Sequence, residues 1–372
     1  MRKVFIEADN IISPLGMTTD DNFASIRNGK SGIRIIERSS LSETPVPVSA
    51  IDFANIETAF RSIKGTYTRF EQLAILSIKQ ALEKTTQPID KEKTLFILST
   101  TKGNIDLLDT TTDSPFPESR LLLHETAQVI ADFFQFKHTP VVVSNACISG
   151  ISAIILGKRL IEQGLYDTVI VNGTDILSRF VISGFQSFMS LSATPCKPFD
   201  ANRSGLTLGE ASATVILSHK EQEIAVVDGA TSNDANHISG PSRTGEGLFL
   251  AIRQTLQENH SVDFISAHGT ATPYNDDMES IAIARANLAQ VPVNSLKGYI
   301  GHTLGAAGII ESIINIEALK NNILIGTLGC ETIGVAEKIN IVQETKSQQL
   351  TTLLKLGSGF GGGNAAILFS KL

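Results

Sequence analysis

The sequence predicts an α/β fold with mixed sheets, built from two similar halves that pack as one layered body. Three observations lead there. Strand patterns alternate with helical patterns along the chain. The strand patterns are apolar runs without polar alternation, as expected of strands covered on both faces. Five elements of the first half recur, in the same order, in the second.

The elements pair off in turn. Residues 4–13 and 224–233 each read as a strand ending in small polar residues. An amphipathic helix follows each. Over 71–84, Ile75, Ile78 and Leu82 form one stripe; over 247–259, Leu248, Ala251, Ile252, Thr255 and Leu256 do the same. Buried strands running into polar loops come next, at 94–104 and 262–272. The segment 140–150 matches 292–305, and helices follow at 151–163 and about 306–320. Each half closes on a strand, 211–220 and 363–372, so the halves divide as 1–222 and 223–372.

Composition excludes several classes of function. The chain has 372 residues, 42% of them hydrophobic and 19% charged, which supplies an ample core and rules out global disorder. No uninterrupted hydrophobic run exceeds five residues, so no membrane-spanning helix is expected. Glu7, Asp9 and Asn10 interrupt any signal-like stretch near the start. A net charge of −7 argues against a generic nucleic-acid binder. Three cysteines, Cys147, Cys196 and Cys330, are no disulfide framework, and the expectation is a reduced, cytoplasmic protein.

Two familiar motifs fail on their context. Gly357, Gly359 and Gly362 formally spell a dinucleotide fingerprint, but only ten residues remain after Gly362 for the helix, strand and acidic residue it requires. Asn28-Gly29-Lys30-Ser31 ends like a phosphate loop, yet Ala24 stands where its first glycine should be, and the preceding residues read as a helix ending at a glycine cap. Metal-ligand spacing of the HExxH, CxxC or Cys/His type is absent from the sequence, and no metal is expected.

Three other residues carry chemistry. Cys147 sits where a buried strand ends, small residues turn the chain and a helix starts. A thiol there faces unpaired N–H groups and the positive end of the helix dipole, an arrangement expected to lower its pKa from ~8.5. The competing reading is a buried, inert cysteine. His268 and His302 each end a strand in a glycine-rich turn, where ligands bind in α/β sheets. Structural histidines would look the same locally. His302, however, occupies in the second half the position that Cys147 occupies in the first.

Five segments extend the pattern. They are Ala146-Cys147-Ile148-Ser149-Gly150; Pro198-Phe199-Asp200 with Arg203; His268 to Pro273 with Asp276 and Glu279; Ser295 and Lys297 with Gly301, His302, Gly305 and Ala306 to Gly308; and Gly359 to Asn364. In this order, over essentially the whole length, the chain resembles the β-ketoacyl-acyl-carrier-protein synthases of the decarboxylating type, in the thiolase-like superfamily. The resemblance implies a duplicated five-layer αβαβα sandwich. It implies decarboxylative condensation of an acyl-enzyme thioester with malonyl-carrier protein, in fatty-acid, polyene or polyketide synthesis. Cys147 would be the nucleophile, and the N–H groups of Cys147 and Phe360 an oxyanion hole. His268 and His302 would serve the enolate, and Lys297, paired with Glu311, would set the electrostatics. Asp276 and Glu279 would support the site. Thr270 and Thr272 would meet a phosphopantetheine arm, with Phe360 and Gly361 also binding substrate. No resident cofactor is implied, since phosphopantetheine arrives on the carrier protein.

The implied partners are an acyl-carrier protein and a second synthase subunit, identical or related, docked along Val141 to Ser144. A basic cluster of Arg61, Lys64 and Arg69 is the expected carrier surface. Departures from the family pattern stand at Ser204, Ala211 and Leu356-Gly357-Ser358, and the chain looks short between Gly103 and Val141. Two alternatives compete: a non-catalytic chain-length-factor-like subunit, against which Cys147 and both histidines argue, and a coenzyme A thiolase, which would carry a second cysteine where Phe360 stands.

Overall fold

The computed structural model describes residues 2–109, 114–257 and 261–372. The first half contributes β1 (Phe5–Ile12), α1 (Arg69–Glu83), β2 (Thr94–Ser99), β3 (Val141–Val143), α2 (Ser149–Glu162), β4 (Thr168–Asp175) and β5 (Ala211–Ser218). The second contributes β6 (Ile224–Asn233), α3 (Glu246–Leu256), β7 (Phe264–Ser266), β8 (Pro292–Asn294), α4 (Ala307–Lys320), β9 (Thr352–Gly359) and β10 (Gly363–Lys371).

The expected repeat holds down to strand direction. The first half orders its strands β3-β2-β4-β5-β1, and the second β8-β7-β9-β10-β6. In each, the first three strands are mutually parallel and the last two join antiparallel. The sheets meet at their β1 and β6 edges through a single pair, Phe5 with Ala225.

Helices make five layers of this. α1 covers the outer face of the first sheet, and α3 the outer face of the second. α2 and α4 lie between the sheets and touch both. The stripe residues named from sequence face these layers: Ile75 and Ile78 are buried in the outer core of the first half, and Leu248, Ala251 and Ile252 in that of the second. α1 starts with a full capping box, Thr68 accepting from the Glu71 N–H while Glu71 accepts from Thr68 N–H. α2 and α4 approach so closely that a Cβ on Gly150 would lie 2.9 Å from the Ile309 nitrogen, and one on Gly308 2.7 Å from the Ile151 nitrogen. Only glycine permits that contact, and it brings the two helix starts together.

Several boundaries differ from expectation. The helix read over 247–259 ends at Leu256, and 258–259 lie outside the described residues. β4 and β9 were not anticipated. In β9 the apolar pattern is broken by Lys355 and by Gly357 and Ser358, although Leu353 through Ser358 are all buried.

Candidate active site

The two central helix starts deliver Cys147 and His302 to one cavity of about 500 Å³, together with His268. Cys147 leaves β3 on a tight turn. Ser149 Oγ accepts from the Asn145 N–H at 2.7 Å and donates to the Ala146 carbonyl at 2.6 Å. Ala146 takes φ +45°, a left-handed conformation uncommon outside glycine. On the other half, the His302 N–H donates to the Thr207 carbonyl at 2.7 Å, fixing its backbone to the first half.

His302 Nε2 lies 2.9 Å from Cys147 Sγ. The Leu304 N–H donates to His302 Nδ1 at 3.3 Å. An Nδ1 that accepts leaves the proton on Nε2, so the Nε2–H points at the sulfur. The His268 ring stands edge-on to that of His302, centroids 5.0 Å apart. Burial, reinforced by the Lys297 ammonium, holds both imidazoles well below their ordinary range. Both are therefore neutral donors at physiological pH. The Cys147 sulfur and one nitrogen of each histidine lie within 4.8 Å of one another, and these are the atoms that could close on a soft cation.

The thiol departs from expectation. Burial pushes Cys147 up to about 11, against the lowering pull of Lys297, the Phe360 N–H and Lys102. Desolvation outweighs those influences. Cys196 is likewise pushed up to about 11 and Cys330 to about 12 by burial. Position, not acidity, sets Cys147 apart: it alone of the three faces the histidines.

Phe360 forms a wall of the cavity. Its N–H bonds toward the Cys147 sulfur. Its ring stacks on Phe185, centroids 5.6 Å apart, and meets Phe188 edge-on at 5.4 Å. Beyond it lies a second space of about 350 Å³, lined by Cys147, Phe180, Phe185 and Lys102 among others. Thr270 and Thr272 line the main cavity, their hydroxyls 2.9 Å apart. Gly361 does not join them. It is exposed, and its N–H donates to the Ile238 carbonyl at 2.7 Å, because the turn at φ +82° swings it outward.

The expected ionic residues lie behind the cavity. Lys297 and Glu311 form a buried pair, each about 1% exposed. Glu279 accepts from the His268 and Gly269 N–H groups at 2.7 and 2.6 Å, so it shapes the turn without lining the cavity. Asp276 accepts from the Phe199 N–H at 2.8 Å; burial and neighbouring Glu279 push it up to about 7. Of the departures, Ser204 and Ser358 line the cavity, Ser204 pairing with Ser192 Oγ at 2.9 Å and Ser358 donating to Asn364 Oδ1 at 2.8 Å. Ala211 is fully buried at the start of β5.

Two polar residues escaped the sequence reading. Asp175, at the end of β4, accepts from Thr100 Oγ1 at 2.8 Å, Thr101 N–H at 3.0 Å and Gly305 N–H at 2.7 Å, tying the His302 turn to the first sheet. Lys355 lies 2.6 Å from Glu311 Oε2. The available signal was a charge inside an apolar strand pattern, which demands a buried partner.

A doubled sheet body with a thiol and two neutral histidines at its centre defines a thiolase-like class of architecture. Residues 1–223 match the family model for the β-ketoacyl synthase N-terminal domain, and residues 224–331 the C-terminal domain. The chain belongs to the β-ketoacyl synthase family. It is 27% identical to 3-oxoacyl-[acyl-carrier-protein] synthase 2 of Coxiella burnetii and 26% identical to synthase 1 of Haemophilus influenzae, in each case over 100% of this chain and 99% of the relative. Among solved structures it resembles a ketosynthase in complex with its chain length factor from Xenorhabdus doucetiae, with TM-score 0.87, 27% identity and coverage of 100% and 98%. No helix among the described residues is long and apolar enough to cross a membrane.

Proposed function

We propose that the chain is a 3-oxoacyl-acyl-carrier-protein synthase. The observation that carries this is the buried Cys147–His302 contact with His268 alongside, opening on a cavity lined by Thr270 and Thr272. Cys147 Sγ attacks the acyl thioester carbonyl, and its N–H and that of Phe360 receive the oxyanion; one such donor is worth ~3 kcal/mol in other enzymes. The carbon–sulfur bond to the pantetheine breaks, and the thiol proton leaves with that sulfur. Malonyl-carrier protein enters next. Its carbon–carboxylate bond breaks and CO2 leaves, the bonding electron pair flows into an enolate, and His268 and His302 donate to the enolate oxygen. The α-carbon attacks the acyl carbonyl, Cys147 departs as thiolate and takes up one proton from solvent to restore the thiol, and a 3-oxoacyl-carrier protein leaves. No resident cofactor enters this scheme, and the reading places the reaction in the cytoplasm.

Intact-protein mass spectrometry after incubation with acyl-carrier proteins tests the reading. Wild type should gain one acyl group and Cys147→Ala none, a loss on the order of 10³-fold or more in condensation. A stable adduct on Cys196 or Cys330 instead would refute it.

A dimer completes the proposal. β3 lies at the edge of its sheet, pairs among the described strands with β2 alone, and presents half-buried valines Val141 to Val143. Such an apolar edge without charge is an aggregation hazard unless covered. The ketosynthase of Xenorhabdus doucetiae is described in complex with a chain length factor, and a related subunit or a second copy would fit here. Light scattering should report a dimer, alone or with that subunit; a fully active ~40 kDa monomer contradicts it.

A further inference from the structure

Lys355 sits mid-strand in β9 and is fully buried. Its ammonium lies 2.6 Å from Glu311 Oε2 and donates to the Ala267 carbonyl at 2.9 Å. Lys297 holds the other carboxylate oxygen of Glu311 and donates to the His268 carbonyl at 3.1 Å. One carboxylate from α4 thus holds two ammonium groups, and these hold the carbonyls of two consecutive residues. Pairing of β7 with β9 stops at Ser266, so both carbonyls lie just beyond the sheet ladder. Burying a second ammonium beside a first is costly, and an apolar side chain would fill the same strand position without that cost. What the ammonium alone supplies is its hold on Glu311 and on the Ala267 carbonyl, with a longer bond to the Ser266 carbonyl at 3.4 Å.

We propose that Lys355 is a positioning residue for His268: with Glu311 and Lys297 it clamps the Ala267–His268 backbone and fixes the His268 imidazole against His302. Glu311 stands one helical turn past Gly308 on the helix that follows His302, so the clamp links the backbone of one histidine to the helix of the other. The charged surroundings are consistent. The charges of Lys297 and Lys355 act on both imidazoles and that of Lys102 on His302, and Glu279 holds the His268 N–H. The bonds from Lys355 keep a cation near two groups that work as neutral donors.

Lys355→Met and Lys355→Gln in the full chain test the clamp. Methionine keeps the volume and leaves a neutral Lys297–Glu311 pair, so the fold should survive. The kinetic readout rests on the synthase reading. Cys147 acylation should stay within about two-fold, while kcat for CO2 release from malonyl-carrier protein falls about 10- to 100-fold with little change in KM, the scale of a displaced catalytic group. Glutamine, which still donates to the Ala267 carbonyl, should recover part of that loss. Independently of activity, NMR of 13C-labelled histidines should show the His268 signal displaced in Lys355→Met and titrating at higher pH, since loss of a neighbouring cation eases protonation. An unmoved His268 signal overturns the proposal, whether CO2 release is unchanged or both half-reactions fall together. Failure of both variants to fold makes Lys355 a packing residue and also overturns it. If wild type releases no CO2 from carrier-bound malonate, the synthase reading fails, and the NMR result still decides the clamp.

Discussion

The two halves share one strand order and one pattern of strand directions, yet they contribute opposite chemistry. The β3–α2 junction of the first half delivers a lone thiol, ringed by Ala146, Ser149 and Gly150. The β8–α4 junction of the second delivers His302, and behind it stand Lys297, Glu311 and Lys355. The edges differ too. β8 is covered by Asn340–Ile341, whereas among the described residues no strand pairs with the outer side of β3. Duplication therefore supplied the scaffold and the meeting of two helix starts, and divergence of side chains at the junctions supplied a thiol on one side and, on the other, a neutral imidazole backed by a buried charged cluster.

The sharpest way to break this comparison is to remove the second half's donors and leave the first half's nucleophile. His268→Ala or His302→Ala should suppress CO2 release from malonyl-carrier protein by about 10²–10³-fold, the usual cost of one oxyanion donor. Measurable Cys147 acylation should persist, because the Cys147 and Phe360 N–H groups remain. A stopped assay of labelled CO2 beside intact mass of the acyl-enzyme separates the two steps. Unimpaired CO2 release in both variants would show that the halves do not divide the chemistry this way.

A smaller effect concerns stability. Asp276 is pushed from its ordinary 3.8 up to about 7 by burial and by Glu279. Between those values the folded chain holds a proton that the unfolded chain has lost, so this group's contribution falls as pH rises through that window. Below about pH 4 both states are protonated and the penalty is absent. Asp276→Asn keeps an acceptor for the Phe199 N–H and removes the titration. Its urea-unfolding free energy should fall less steeply between pH 4 and 7 than that of wild type. Parallel profiles would mean that Asp276 does not carry this dependence.

The parts legible in the sequence were those written in local pattern. Helical periodicity marked α1 and α3, unbroken apolar runs marked every strand pair but β4 and β9, and the strand-turn-helix segments marked Cys147 and His302. What escaped depended on three-dimensional surroundings. Lys355 is read as a break in a strand until Glu311 is seen opposite it. Asp175 looks like a loop residue until the Gly305 N–H meets it across 130 positions. A helix start favours a low Cys147 pKa, but desolvation opposes it, and desolvation depends on how deeply the thiol is buried. Gly361 shares a motif with Phe360, but a single positive-φ turn sends it to solvent.

The last comparison concerns the link between each half's first strand and its outer helix. In the second half, residues 234–245 reach the cavity mouth with His237, Ser239 and Gly240. In the first half the corresponding link carries Arg61 and Lys64 and Arg69 opens α1 beside them, all three exposed, with the Arg69 guanidinium 3.9 Å above the Phe53 ring. That stacking spends Arg69 partly on packing and leaves Arg61 and Lys64 freer to meet an acidic surface. On a chain of net charge −7, such a local cluster can steer an acidic carrier protein that the molecule as a whole repels. Reversing Arg61 and Lys64 to Glu should raise KM for the carrier protein a few-fold, leave kcat nearly unchanged, and do so less at 0.5 M than at 0.05 M salt, because the Debye length shrinks from ~14 to ~4 Å. A rim charge is worth ~0.2–1 kcal/mol when exposed, so two reversals are expected to cost little more than that scale. Steady-state kinetics at the two ionic strengths measures it. If KM is unmoved at low salt, the cluster is a solvated face, and docking lies elsewhere on the molecule.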